Sequence, residues 1–328
     1  MIRFGVLGTA NITPRALVYP CADERRAFIR YVGARDRARA QGFARWHDIP
    51  VVCDDYDEVV HHKDVDAVYN PLPMTAHHEW TIKALRAGKH VLCEKSFAAN
   101  TKEAEEMAAV AEETGLVLMD AFHYRYHPIF IRAREIVESG RLGRIRRVSG
   151  AFHIPVEADP ENIRMNYQTG GGVTMDIGCY PISWSRHILA DEPKTIEAVA
   201  DVGPPNVDLM LQARMTFPGG IDVQTSGDMR EGTTFRADLT VEGDKGRMVV
   251  NNPLVPQMGN SIELEVDGET AMEVFDRRPS YGYQLDAFID AVEEGKPLLT
   301  GPNDAVRQMR VIDRCYEAAG LPVRGLDI

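Results

Sequence analysis

The sequence predicts a two-domain α/β protein: a doubly wound parallel sheet, followed by an α+β domain with a large open, mainly antiparallel sheet. The chain has 328 residues, which at roughly 150 residues per domain is enough for two separate cores. Short apolar runs alternate with helical patterns in the first third, and longer segments of alternating polarity follow. We therefore place the domains at 1–121 and 122–328, divided where this pattern changes.

The strand candidates of the first domain are short and mostly rich in Val, Leu and Tyr, as expected of strands buried on both faces. They lie at 3–7, 30–34, 51–53, 67–69, 90–93 and 116–120. Helical patterns separate them. The clearest helix spans 100–115, where Asn100 can cap the start, Glu103 follows three residues later and Gly115 ends the helix. Another helical pattern covers 76–87.

The strand candidates of the second domain are longer, and several alternate apolar with polar residues, which is typical of a sheet with one covered face. They lie at 146–153, 195–202, 209–217, 222–226, 237–242, 247–251 and 262–266. Helices are predicted at about 281–294 and 303–319. We expect the face of this sheet that helices leave uncovered to be an apolar surface too large for a soluble monomer, and therefore a homodimer or higher oligomer joined through 146–266.

Composition excludes several classes of protein. The chain carries 37 basic and 49 acidic residues, a formal net charge of −12, which disfavours nucleic acid and membrane surfaces as partners. No uncharged stretch is apolar enough to span a bilayer, and no leader pattern is present. The five cysteines are scattered without a CxxC spacing, which favours reduced thiols and a cytoplasmic protein.

The turn after the first strand has the position of a dinucleotide-binding turn. Gly8, Ala10 and Thr13 occupy the three positions of a glycine motif. Bare backbone there lets a pyrophosphate approach N–H groups at a helix N-terminus. Because only the first position is glycine, a purely structural turn is the alternative, but the position after the first strand favours a dinucleotide.

The end of the second strand is where the adenosine ribose of a dinucleotide is recognised. Arg35 comes first after the strand and follows two small residues, which leaves room for a 2′-phosphate. The sequence therefore favours NADP over NAD. The alternative is that Arg35 is a solvated turn residue and Asp36 caps the next helix.

Two further segments could carry chemistry. Glu94 and Lys95 follow the fifth strand, at the edge where ligands bind in open α/β sheets, and a lysine there can stabilise a developing alkoxide. Asp176 and Tyr180 share one helix face if their segment is helical, although Pro181 fits only a first turn or a kink. The alternatives are a surface ion pair for the first segment and a buried Asp–Tyr hydrogen bond for the second.

The histidines do not predict a metal site. They occur as His61-His62, His77-His78 and the spaced pair His123 and His127. No third ligand stands at a recognisable spacing, and Pro128 disfavours a regular helix beside the last of them. We therefore expect no metal.

Four stretches together resemble the Gfo/Idh/MocA family of oxidoreductases nearly from end to end. They are GVLGTANI at 5–12, AGKHVLCEK at 87–95, GGGVTMDIGCY at 170–180 and YGYQLDAFIDAVEEGKP at 281–297. The resemblance implies a Rossmann domain followed by an α/β domain with an open sheet. It also implies NAD(P)-dependent oxidation or reduction of sugars, polyols or dihydrodiols at CH–OH groups, and dimers or tetramers formed through that sheet.

The resemblance also assigns site residues. Lys95 falls on the lysine of the family's Glu-Lys-Pro turn, which is the catalytic or substrate-orienting residue. Tyr180 falls on the family's His-or-Tyr position and Asp176 on its substrate-binding aspartate. Ser96 and Thr13 depart from the family pattern, and Tyr180 leans toward the dihydrodiol and sugar dehydrogenase branches. The predicted contacts to NADP(H), or to NAD(H), are Gly8, Thr9, Ala10, Asn11, Ile12, Arg35, Asn70, Leu72, Pro73, His77, Glu94, Lys95, Arg164 and Tyr283.

The leading functional hypothesis is hydride transfer to or from a polyhydroxylated small molecule, with Tyr180 and Lys95 as the acid/base pair. A non-catalytic NAD(P)-binding regulator is the alternative from another class. The retention of Lys95, Asp176 and Tyr180 disfavours it, since a sensor needs no proton-transfer set. An NAD-dependent glycoside hydrolase on the same scaffold is the third possibility.

Overall fold

The computed structural model describes residues 1–157, 159 and 161–326, which form two compact units. The first unit contains Met1–His123 together with Tyr281–Val306, and the second contains Tyr124–Ser280 together with the segment from Arg307 onward. Residues 281–306, which the sequence analysis placed in the second domain, thus pack with the first unit. The division into functional domains at 121 and 122 stays a prediction.

A six-stranded parallel sheet forms the centre of the first unit, as the sequence predicts. Its strands are β1 (Ile2–Leu7), β2 (Ala27–Gly33), β3 (Val51–Cys53), β4 (Ala67–Asn70), β5 (His90–Cys93) and β6 (Leu118–Asp120). They are arranged in the order β3-β2-β1-β4-β5-β6. The chain therefore leaves β1 toward β2 on one side and returns to β4 on the other, which creates a topological switch point between β1 and β4.

Helices connect the strands of the first unit. They are α1 (Tyr19–Asp23), α2 (Arg37–Trp46), α3 (Tyr56–His61), α4 (His77–Arg86) and α5 (Thr101–Thr114). The ends of α5 show why this helix was readable from sequence. The Asn100 side chain accepts a hydrogen bond from the Glu103 amide at 3.0 Å, and Gly115 ends the helix in the left-handed conformation at φ 65°, as its cap residues predict.

An eight-stranded, mainly antiparallel sheet dominates the second unit. Its strands are β7 (Ile145–His153), β8 (Thr195–Val202), β9 (Asp208–Phe217), β10 (Ile221–Asp228), β11 (Arg236–Gly243), β12 (Gly246–Asn251), β13 (Ser261–Val266) and β14 (Glu269–Glu273). The order is β14-β13-β12-β11-β7-β10-β9-β8, and only β7 and β10 pair in parallel. The fold class predicted from sequence is confirmed.

Two helices, α6 (Pro128–Glu138) and α7 (Cys179–Leu189), pack on one face of this sheet. Small residues of the strands let α7 lie close. A Cβ on Gly227 would stand 2.9 Å from the Gly178 Cα, and one on Gly150 would touch Pro181 at 3.3 Å. Close packing of this kind fixes α7 against β7 and β10. The last helices are α8 (Ser280–Glu294) of the first unit and α9 (Pro302–Ala318), which both units share.

The opposite face of the large sheet is not the apolar surface that the sequence analysis expects. By strand register, Arg147 of β7 lies beside Asp222 of β10 and Glu242 of β11, and Arg214 of β9 bonds to Asp222 at 2.8 Å. Polar residues alternate with buried apolar ones along these strands, so the exposed side of each strand is mainly polar or charged. The apolar reason for self-association is therefore wrong, and self-association itself stays a prediction.

Within the described residues, no helix has the length and the apolar character that a membrane crossing requires.

Candidate functional site

The glycine turn after β1 leaves backbone donors available. Gly8 has φ +83°, and its amide bonds to the Gly33 carbonyl at 2.7 Å. The amides of residues 9–12 make no hydrogen bond among the residues that the structure describes. A π-helical turn at Pro14–Val18 continues directly into α1. Unsatisfied amides at the start of a helix, beside a bare glycine, fit the pyrophosphate of a dinucleotide.

Gly8 also sets how closely the neighbouring loop approaches. A Cβ at this position would lie 3.3 Å from Leu72 Cδ2 and 3.6 Å from the Tyr56 hydroxyl. Leu72 and Pro73 follow β4, so they meet Gly8 at the carboxyl ends of the two strands that flank the switch point. This is the edge where ligands bind in doubly wound sheets. The residues predicted from sequence for cofactor contact at β1 and β4 therefore come together.

Asn70 and His77 support this loop from below. Asn70 is fully buried, and its Nδ2 donates to Thr81 Oγ1 at 3.1 Å. The ring of His77 is also buried, with Nε2 2.7 Å from the Leu72 carbonyl and Nδ1 3.0 Å from the Ser96 carbonyl. Burial lowers the pKa of His77 to about 4 against the pull of these carbonyls. A neutral His77 carries one ring N–H, so it donates either to the loop after β4 or to the loop after β5 and lies against the other carbonyl without a donated bond.

Glu94 and Lys95 leave the end of β5, next to β4 in the sheet. The Glu94 carboxylate is buried and accepts a hydrogen bond from the Tyr69 hydroxyl at 2.8 Å. Burial raises the pKa of Glu94, while the charge of Lys95 and the Tyr69 hydrogen bond act in the opposite direction. The Lys95–Ser96 peptide is cis. Lys95 thus brings a cation to the ligand-binding edge of the sheet, beside a carboxyl group shielded from water.

Arg35 is exposed just beyond β2, while the neighbouring acid is already engaged. Asp36 Oδ1 accepts hydrogen bonds from the Ala38 amide at 2.9 Å and the Arg39 amide at 3.2 Å, which makes it the N-cap of α2. An aspartate used as a cap is less able to accept a ribose hydroxyl. Asp36 therefore has the capping role that was one of the two alternatives for it, and Arg35 is an exposed cation just beyond β2.

The second unit carries the other predicted residues. Asp176 lies in a π-helical turn, Thr174–Gly178, that leads directly into α7, and Tyr180 lies in the first turn of α7. Pro181 therefore occupies the first-turn position that suits proline. The Asp176 carboxylate accepts a hydrogen bond from Arg164 Nε at 2.5 Å, and this carboxylate is the main reason that the pKa of Arg164 is raised. The structure thus joins two residues that the sequence assigned to separate roles.

Tyr180 lies among aromatic rings and is 6% exposed. Its ring centroid is 5.7 Å from that of Phe152, 6.1 Å from that of Tyr124 and 6.4 Å from that of Trp184. Such surroundings hold a phenol in a defined orientation.

A polar cluster behind Tyr180 was missed at the sequence level. The Tyr124 hydroxyl lies 2.7 Å from Ser183 Oγ and 2.9 Å from His187 Nδ1, and Arg125 Nη1 bonds to His187 Nε2. Ser183 and His187 stand three and seven positions after Tyr180 on α7, so they share its face. Polar residues at this spacing in an otherwise apolar helix are the sequence feature that could have indicated the cluster.

The histidines have structural contacts. His127 caps α6 by accepting from the Ile129 amide at 3.2 Å, and the His123 ring lies 4.0 Å from that of Tyr281. Among the residues that the structure describes, no three His, Cys, Asp or Glu side chains form a group that could hold a metal ion.

Sequence comparison agrees with the geometry at both units. Residues 2–122 match the oxidoreductase family with an NAD-binding Rossmann fold, and residues 130–249 match the GFO/IDH/MocA C-terminal domain. The chain belongs to the Gfo/Idh/MocA family. It is an NAD(P)-dependent oxidoreductase.

Relatives of this oxidoreductase match over nearly its whole length. A D-xylose 1-dehydrogenase (NADP(+)) of Haloferax volcanii is 32% identical, with 97% of each chain covered. A dTDP-3,4-didehydro-2,6-dideoxy-alpha-D-glucose 3-reductase of Streptomyces antibioticus is 31% identical, again over 97% of each chain. Among solved structures, an aldose-aldose oxidoreductase from Caulobacter crescentus, complexed with glycerol, has a TM-score of 0.88 at 25% identity over 97% of each chain.

Proposed function

We propose that this oxidoreductase transfers a hydride between NADP(H) and a CH–OH or carbonyl carbon of a sugar or a related polyhydroxylated molecule, with Lys95 and Tyr180 as the acid/base pair. The observation that carries the proposal is the position of Lys95, which follows β5 at the ligand-binding edge of the sheet, next to the loop of Leu72 and Pro73. Relatives named for sugar dehydrogenation and sugar-nucleotide reduction support the substrate class.

The cofactor's binding residues follow from the first unit. The open amides of residues 9–12 would hold the pyrophosphate, and Arg35 would hold a 2′-phosphate. Arg164 and Tyr283 are proposed as further contacts on the strength of the family resemblance. The bound nicotinamide supplies or accepts the hydride.

The chain's own task is to orient the substrate and to move one proton. An ordinary phenol has a pKa near 10 and is a weak base at neutral pH. A neighbouring ammonium favours the phenolate, which is the physical reason for proposing that Lys95 and Tyr180 act together. Asp176, held by Arg164, would accept a substrate hydroxyl and fix the reacting carbon.

A substrate screen tests the proposal. NADP⁺ and NAD⁺ reduction is followed by absorbance with pentoses, hexoses, inositols and dihydrodiols, alongside reduction of keto sugars by NADPH. We expect turnover with at least one sugar or polyol and a preference for the phosphorylated cofactor. Tight dinucleotide binding without turnover would support a regulator instead, and release of a free sugar from a glycoside would support the hydrolase.

We further propose that the protein self-associates through the polar face of the second sheet and works in the cytoplasm with reduced thiols. No disulfide joins the five cysteines within the residues that the structure describes. Because this face is rich in exposed charges, association through it should weaken with salt. Light scattering at low and high ionic strength tests this, and a monomeric mass at micromolar concentration in both would contradict it.

A further inference from the structure

A fully buried ion pair lies directly behind the glycine loop that precedes Asp176 and Tyr180. Arg324 Nη2 is 2.6 Å from Asp208 Oδ1, and both side chains are 0% exposed. The sequence analysis assigned neither residue a role. A buried pair of charges costs desolvation that hydrophobic residues of the same size avoid, so the bonds that these two charges make to their surroundings are of interest beyond stability.

Arg324 uses its guanidinium to hold the backbone of the loop. Nε donates to the Gly171 carbonyl at 2.8 Å, and Nη1 donates to the Pro322 carbonyl at 2.9 Å. The guanidinium also lies over the Tyr316 ring, 4.1 Å from its centroid. The planar fork of an arginine directs its donors to the carboxylate and to the loop carbonyls in fixed directions, a geometry that the ammonium of a lysine does not reproduce.

Asp208 extends the connection to Thr174, the first residue of the turn that carries Asp176. Its Oδ2 accepts hydrogen bonds from the Thr174 amide at 2.9 Å and the Thr174 hydroxyl at 2.6 Å. Thr174 begins the π-helical turn that carries Asp176 and leads into α7. The pair therefore holds both the loop and the first residue of the turn.

The glycines of this loop are required by that contact. A Cβ on Gly172, which has φ +130°, would overlap Asp208 Oδ1 and stand 2.7 Å from Arg324 Nη2. A Cβ on Gly171 would stand 2.6 Å from the carbonyl oxygens of Arg164 and Asn166. Side chains are excluded here because the backbone is pressed against the ion pair on one side and the Arg164 segment on the other.

We propose that Asp208 and Arg324 are positioning residues, which set the place of Asp176 and Tyr180 by fixing the Gly171 carbonyl and Thr174. The proposal rests on the proposed function, in which Asp176 and Tyr180 act on the substrate. The segment after α9 thereby becomes part of the machinery for orienting substrate, although it contributes no reacting group.

Two variants and a control test the proposal, and a fourth variant serves if the first does not fold. Arg324→Met removes the guanidinium, and the double variant Asp208→Asn/Arg324→Met removes both charges, so that neither is left buried alone. Arg314→Met is the matched control, because Arg314 also bonds two backbone carbonyls, those of Pro193 and Lys194, at 2.8 and 2.9 Å. If Arg324→Met does not fold, Arg324→Lys keeps the charge but loses the fork.

Hydrogen exchange of 171–178 is measured with the melting temperature, NADPH affinity, kcat and KM. We expect faster exchange and about tenfold or greater loss of kcat in the Arg324 variants, since small misplacements of reacting groups are costly. NADPH affinity should fall much less than kcat does, because the proposed pyrophosphate and 2′-phosphate contacts lie in the first unit, while Arg164 is the proposed cofactor contact that adjoins the loop. The double variant should regain thermal stability without regaining kcat, and Arg314→Met should keep both exchange and kcat.

Unchanged exchange at 171–178 and unchanged kcat in a folded Arg324 variant would overturn the proposal. So would recovery of kcat together with thermal stability in the double variant, which would mean that the pair serves stability alone. A fully active Tyr180→Phe enzyme would refute the proposed function and, with it, the catalytic consequence. The exchange result would still report whether the pair fixes the loop.

Discussion

Arg164 Nε lies 2.5 Å from the Asp176 carboxylate, and this contact joins a loop residue to the turn before α7. The side chain of Asp176 is 13% exposed and that of Arg164 is 41% exposed. A carboxylate so enclosed is held in one orientation by its partner. The arginine that resembles a cofactor contact of the family therefore also supports the residue proposed to bind substrate, and variants at the two positions should not be additive.

Tyr180→Phe and Lys95→Met should each lower kcat by about 10²–10⁴, the range for loss of a positioned acid or base. NADP(H) affinity, measured by fluorescence quenching, should fall little. The double variant should lose much less than the product of the single losses, because the two residues act as one unit. Wild-type kcat in Tyr180→Phe would make Tyr180 structural and leave the proton to Lys95 or a water.

Arg35→Ala should weaken NADP⁺ binding by roughly ten- to a hundredfold, since a charge-assisted contact contributes about 1.5–3 kcal/mol. NAD⁺, which lacks the 2′-phosphate, should bind nearly as before. Calorimetric titration of both cofactors measures the difference. The control is Arg45→Ala, since Arg45 is an exposed arginine in the last turn of α2, the helix that follows Arg35. Equal losses for NADP⁺ and NAD⁺ in Arg35→Ala would refute the assignment.

Gly33→Ala should destabilise the protein by about 1–3 kcal/mol, the usual cost of overpacking. A Cβ at Gly33 would overlap the Asp55 carbonyl and stand 2.7 Å from Val59 Cγ2. Gly42 in α2 has nothing within 4 Å of its Cβ position, so Gly42→Ala should instead stabilise by about 0.5–1 kcal/mol. Chemical denaturation of the two variants measures both changes in the free energy of unfolding. Similar effects in both would contradict the close approach of Gly33 to the segment after β3.

His77 should make the protein less stable in acid. Burial lowers its pKa from 6.5 to about 4. His77 therefore binds a proton less readily in the folded state than in the unfolded chain. Stability from this group is complete above pH 6.5 and is lost as the pH falls toward 4, by about 3 kcal/mol at most. His77→Gln should flatten the dependence of unfolding free energy on pH in this window. The exposed His61→Gln is the control, and an unchanged slope in His77→Gln would contradict the prediction.

The strands of the first sheet could be predicted because burial on both faces leaves a continuous apolar run, as in Val91-Leu92-Cys93 of β5. Strand β14 could not be predicted, because it is an edge strand. Its residues Glu269–Met272 are all exposed, so they show no alternation of apolar buried and polar exposed positions. The polar outer face was misjudged for a related reason. The alternation along the middle strands was visible, but the side chains that pair across strands are fixed by register, which one sequence does not show.

The residues of the site also differ in whether their position could be predicted from the sequence. Gly8, Glu94 and Lys95 could be located because each follows a strand directly, and strand ends meet at one edge of a parallel sheet. The pair of Asp208 and Arg324 could not, because its members are 116 positions apart and neither belongs to a local pattern. Contacts between residues so far apart in sequence form only when the chain folds, so a single sequence does not reveal them.

The first unit is closed by a segment made late in synthesis. Phe288 of α8 packs on Phe4 of β1 with ring centroids 5.5 Å apart, Asp290 bonds to Arg26 at 2.7 Å, and the Thr300 carbonyl accepts from the Asp120 amide at 2.9 Å. During synthesis, the strands of the first unit therefore leave the ribosome long before the residues of 288–300 that pack on them are made. Apolar surface at β1 therefore stays partly uncovered until nearly the whole chain has been made, and exposed surface of this kind favours aggregation before folding is complete.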